Sequence, residues 1–132
     1  MPDPLNALTE SIIGAAIDVH RELGPGLLES AYRHCFAHEL GVRGTRFQSE
    51  LPLPVRYKGV QLDCGYRLDF LVEDAVIVEL KCVEALAAIH KAQLLSYLRL
   101  ADRRVGLLFN FHVPVLMQGG MKRLVNDYKE EY

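Results

Sequence analysis

The stretch from Tyr66 to Lys81 (YRLDFLVEDAVIVELK) limits what this chain can fold into more than any other. It reads as two strands joined by an acidic turn at Glu73-Asp74. Val76, Ile77 and Val78 are β-branched and suit a buried, pleated surface. Strand side chains alternate between faces, so Glu79 and Lys81 share a face with Ile77 while Leu80 points the other way. Placing residue 69 opposite 79 pairs 70 with 78 and 72 with 76. One face then carries Leu68, Phe70, Val72, Val76, Val78 and Leu80. The other carries Arg67, Asp69, Leu71, Ile77, Glu79 and Lys81. A slip of one residue would mix these sets, which favours the register. It requires an odd-length loop or a bulge over 73–75.

Two carboxylates and one ammonium thus converge on one patch of sheet. Adjacent carboxylates repel unless something positive sits between them. A hard cation such as magnesium is held by one or two carboxylates together with waters and phosphate oxygens. An ammonium beside it can orient a water or offset charge on an oxyanion. The plain alternative is an exposed sheet face with a Glu–Lys pair.

Asp69 followed by Glu79-Leu80-Lys81 resembles the D…(D/E)-x-K signature of the PD-(D/E)XK nuclease superfamily. Gly26-Leu27-Leu28-Glu29-Ser30-Ala31-Tyr32 is similar to the G-x-x-E-x-x-Y signature of one branch, the GxxExxY proteins. VIVELK and AQLLSYL look like that branch too, and the likeness runs from about Leu5 to Asn126. Leu68 stands where the superfamily's name has proline. The resemblance implies an α/β (α+β) fold with a restriction-endonuclease-like core, ordered α-α-β-β-β-α-β, its mixed sheet flanked by helices. It implies magnesium or manganese held by Asp69, Glu79 and the carbonyl of Leu80. Lys81 would orient or deprotonate the attacking water, and Glu29 would act as a further ligand or as a base. Gln93 and Tyr97 match a Q-x-x-x-Y element that positions the site or the substrate strand.

The rest of the chain fits around this hairpin. Asp3-Pro4 suits an N-cap and first helical position. Leu5, Leu8, Ile12, Ala15, Ala16, Val19 and Leu23 recur at helical spacing, and Gly24-Pro25-Gly26 ends that helix. A second helix is expected over about 27–40, broken by Gly41 to Gly44. Tyr32 and Phe36 face the core there and carry Glu29 inward, although a first-turn Glu also serves the helix dipole. His34 and His38 read as solvated surface. Phe47 to Tyr57 reads as one strand, placed at an edge by Pro52 and Pro54. Gln48 and Glu50 are solvent-facing or a brace near the site, and Lys58-Gly59 is a turn. A third helix is expected over 86–101, with His90, Gln93 and Tyr97 on one face. Tyr97 there either packs on the sheet with Gln93 as partner or positions the site. Val105 to Phe111 fits a strand buried on both faces, parallel to its neighbour through a right-handed crossover. Asn110 and His112 lie near the site or simply end that strand. Met121 to Val125 is a candidate edge strand, and 126–132 a frayed tail.

Length and charge bound the function. The 132 residues suit one domain. No apolar run reaches the roughly 20 residues of a membrane span. Cys35, Cys64 and Cys82 form no CxxC, so buried inert thiols in a reducing cytoplasm are expected. The net charge of −2 and the lack of a basic run weigh against tight, unspecific duplex binding. Two functions stay open: a magnesium- or manganese-dependent phosphodiesterase acting on DNA or RNA, and a nuclease-like module that binds without cutting. A homodimer is compatible with either.

Overall fold

The computed structural model describes residues 4–127. The N-cap expected at Asp3 and the tail beyond Asp127 lie outside the described residues. Helix α1 runs Pro4–Leu23 and buries Ile12, Ala15, Ala16 and Val19. It stops at Gly24, whose φ of +67° glycine adopts without penalty. Helix α2 runs Glu29–Val42, starting later and ending later than the expected span. It continues through Gly41 because the stop is Gly44, at φ +71°, which lets Thr45 N–H reach back to Leu40 O at 2.9 Å.

Five strands form the main sheet in the order β1-β4-β5-β6-β7. These are β1 Phe47–Pro52, β4 Arg67–Val72, β5 Val76–Lys81, β6 Val105–Asn110 and β7 Met121–Val125. The expected strand over 47–57 is instead split. Proline cannot donate to a ladder; between Pro52 and Pro54 the Leu53 N–H makes one last bond in the β1–β4 register, to Tyr66 O at 2.8 Å, and the pairing ends there. Beyond the break, β2 (Val55–Tyr57) and β3 (Val60–Leu62) make a separate hairpin around Lys58-Gly59. β1 takes the edge position that its proline demands.

The central register is the one the alternation favours: Phe70 opposite Val78, Leu71 opposite Ile77, Val72 opposite Val76. The three-residue loop 73–75 closes it, with Glu73 and Asp74 in the left-handed region and Ala75 N–H on Val72 O. From β5 the chain crosses through α3 (Ala88–Ala101) to β6, which lies parallel to β5. β7 then pairs antiparallel with β6. The order is therefore α-α-β-β-β-β-β-α-β-β, with more strands than the expected core. The class is as expected: a mixed sheet flanked by helices.

Two cores share the sheet. Tyr32 and Phe36 of α2 and Ile12 of α1 pack with Phe70, Val78, Leu107 and Phe109. Leu94, Tyr97 and Leu98 of α3 pack with Leu71, Ile77 and Leu108. β6 serves both, which explains its unbroken apolar run. Leu68 departs from the expected sorting: it packs with Leu53 and Leu98 on the α3 side, not beside Phe70. Cys64 is exposed, and Cys35 and Cys82 are only half-buried, so the expected fully buried thiols are not found. At the start of the expected tail, Asn126 N–H donates to Arg104 O at 2.7 Å. No helix among the described residues is long and apolar enough to cross a membrane.

Candidate active site

The β4–β5 ladder stops one residue short of Asp69 and Glu79, and their side chains take over. Asp69 N–H donates to Glu79 Oε2 at 2.7 Å, and Leu80 N–H donates to Asp69 Oδ2 at 2.9 Å. Each carboxylate thus stands in for a carbonyl of the opposite strand. The strands are held together there by acid groups, and this swap is where the strict alternation of faces fails and Leu68 changes sides. Leu80 keeps its side chain fully buried in the first core.

The neighbouring elements bring the other expected residues to this end of the sheet. Lys81 Nζ donates to Gln93 Oε1 of α3 at 3.1 Å. Tyr97, one turn further along α3, is 7% exposed and meets Tyr66 edge-on at 5.9 Å. On the other layer, the Tyr32 hydroxyl donates to Gly24 O and accepts from Leu27 N–H. Its ring stacks on Phe111 at 4.6 Å. This clamps the loop containing Gly26, whose φ of +105° only glycine adopts freely. The clamp sets where α2 begins and so where Glu29 emerges. Glu29 does not stand alone: Arg33, one turn on, places Nη1 3.5 Å from Glu29 Oε1 and 3.6 Å from Asp69 Oδ1.

Arg33 meets two of the expected site residues, and the sequence reading did not single it out. Its signal was the i, i+4 spacing from Glu29, which reads equally well as a surface pair. Asn110, left open above, is a brace. Fully buried, it accepts from Val83 N–H and donates to Val83 O, fixing the segment after Lys81. His34, His38, His112, Gln48 and Glu50 are exposed. The first two match the reading as surface.

Burial dominates the electrostatics. Glu79 is 4% exposed, and burial followed by the Asp69 charge pushes its carboxyl up to about 8. The Asp69 N–H and the Lys81 ammonium pull the other way without cancelling this. Asp69 is also raised by burial, against the Leu80 hydrogen bond and the Arg33 and Lys81 charges. Glu29 is raised by burial and then by Asp69. Burial raises the Tyr97 phenol, with Glu79 adding to it. The site is short of positive charge.

Among the described residues no three of His, Cys, Asp or Glu group as metal ligands. The donor set therefore does not suit a closed, four-ligand zinc cage. It does suit a hard cation that needs only one or two carboxylates and completes its shell with water and phosphate oxygens. Glu79 commits Oε2 to the backbone, and no hydrogen bond within the described residues claims Oε1. A cation there would offset the burial that raises both acids and the Asp69 charge that adds to it at Glu79.

The family model described as the PD-(D/E)XK nuclease superfamily matches residues 6–124. No curated protein and no solved structure matches the chain.

Proposed function

The chain belongs to the PD-(D/E)XK nuclease superfamily, and from that premise we propose that it is a metal-dependent phosphodiesterase hydrolysing DNA or RNA. The observation that carries this is the pair of buried Glu79 and half-buried Asp69, bound reciprocally to backbone, with Lys81 beside it. Asp69, Glu79 and the Leu80 carbonyl hold magnesium or manganese, with Glu29 as a further ligand or base. A bound ion supplies Lewis acidity and a more acidic water. Lys81, steadied by Gln93, offers its ammonium where negative charge develops on a phosphate oxygen. Tyr97 positions the substrate strand. The G-x-x-E-x-x-Y run from Gly26 to Tyr32 supports the GxxExxY branch, because Tyr32 clamps the loop that delivers Glu29. We read residues 1–132 as one domain, since both cores share one sheet, and place it in the cytoplasm on its three free cysteines.

The experiment is calorimetric titration with magnesium and manganese, followed by a cleavage assay on single-stranded, duplex and branched substrates. Cation binding with cleavage supports the reading. A second reading, a nuclease-like module that binds without cutting, is favoured by the net charge of −2 and by the lack of a three-ligand group among the described residues. Cation binding without cleavage of any substrate would move the conclusion there, and no cation binding at all would sink the metal site.

A further inference from the structure

Among the described residues, Arg33 is the cation that pairs with acids from both α2 and β4 at the site. Its Nη1 lies between Glu29 Oε1 and Asp69 Oδ1, at 3.5 and 3.6 Å, with the side chain 25% exposed. Asp69 Oδ2 is committed to Leu80 N–H, so Oδ1 is the oxygen left to meet an incoming charge, and Arg33 is beside it. Both contacts are long for an Arg–carboxylate pair and neither is bidentate, which is the geometry of a weakly held group. The guanidinium also borders an open cavity of about 270 Å³, lined by His34, Ala37, Ser49, Glu50 and Phe70. It has room to move without unpacking the core.

We propose that Arg33 is a resident counter-cation of the acidic site, displaced from Asp69 when a divalent cation binds, and that its freed guanidinium then grips the substrate phosphate. This rests on the reading of Asp69 and Glu79 as cation ligands. A guanidinium and a divalent ion cannot share Asp69 Oδ1 without mutual repulsion, so Arg33 opposes cation binding. Once released, it is a planar, permanently charged fork next to the cation, and phosphate oxygens match that fork bidentately. Arg33 is thus a substrate-positioning residue whose charge and shape act in different steps.

Two substitutions separate those steps. Arg33→Gln removes the charge; Arg33→Lys keeps the charge and loses the fork. Manganese affinity is measured by calorimetry at low salt. Affinity for a single-stranded oligonucleotide is measured separately with calcium as the cation. Arg33→Gln should bind manganese roughly two- to fivefold more tightly than wild type, the factor an ion pair of this kind supplies, and bind the oligonucleotide more weakly. Arg33→Lys should keep wild-type manganese affinity and still lose oligonucleotide affinity. Manganese affinity unchanged or weakened in Arg33→Gln overturns the proposal and marks Arg33 as structural, even with wild-type manganese binding intact. A wild-type protein that binds no manganese overturns the site reading and this inference together. Were Arg33→Gln not to fold, unaltered oligonucleotide affinity in Arg33→Lys would still overturn the phosphate grip.

Discussion

Lys81 separates a reactive site from a structural one most sharply. The residue is half-buried, and its ammonium bonds Gln93 and makes no ion pair within 4 Å among the described residues. Lys81→Ala should therefore lower kcat by about 10²–10³, the loss expected when a donor aimed at developing charge is removed. The melting temperature should move by no more than about 3 °C. A large drop in melting temperature, with kcat falling only in proportion to unfolded protein, would make the lysine structural. At this scale Asp69, Glu79 and Lys81 were legible because charge is out of place on β-branched strands, and the mismatch itself is the signal. Arg33 was not legible, since an arginine one turn from a glutamate is the commonest of surface patterns. The side taken by Leu68 was hidden for another reason. Alternation assumes an unbroken ladder, and here side chains replace the ladder.

Among the elements, the loop between β6 and β7 is the tightest fit. A Cβ on Gly120 would meet Leu116 O at 2.6 Å and Asn110 O at 2.8 Å, both backbone atoms that cannot step aside. A Cβ on Gly106 would meet Leu94 side-chain carbons at 2.9–3.1 Å, and that leucine can change rotamer. Gly120→Ala should cost about 1–3 kcal/mol in urea unfolding and Gly106→Ala clearly less; the reverse order would refute this account of the packing. Gly120 also bonds Asn110 N–H, and Asn110 holds Val83, so the clash is passed to the segment following Lys81. The sequence showed β4, β5, α3 and β6 because each buries a long periodic face. It did not show β3, whose three residues are all exposed and leave no pattern to read. The split of the 47–57 strand was half legible: two prolines signalled an edge, but not that pairing with β4 ends at Leu53 and a separate hairpin follows.

At the scale of the whole molecule, the acids tie stability to pH. Glu79 titrates near 8 in the folded chain against about 4.5 unfolded. A carboxyl raised on folding favours the folded state while protonated. Its contribution is full below about 4.5 and is lost as the pH rises through the window up to 8. In chelator-treated buffer, wild type should lose stability between pH 5 and 8 by urea titration. Glu79→Gln, which keeps an oxygen for Asp69 N–H, should be flatter over that range; parallel curves would refute the assignment. The same design ties the reactive groups to the integrity of the sheet. Asp69 and Leu80 shelter their amide protons with carboxylates rather than carbonyls, so deuterium uptake at these two amides follows the side chains, not the strands. Glu79→Ala should speed exchange at Asp69 while leaving the amides of β6 slow. Any ligand that draws a carboxylate away from its amide would open that end of the sheet to water, so ligand binding there would be read out as faster exchange at these two amides.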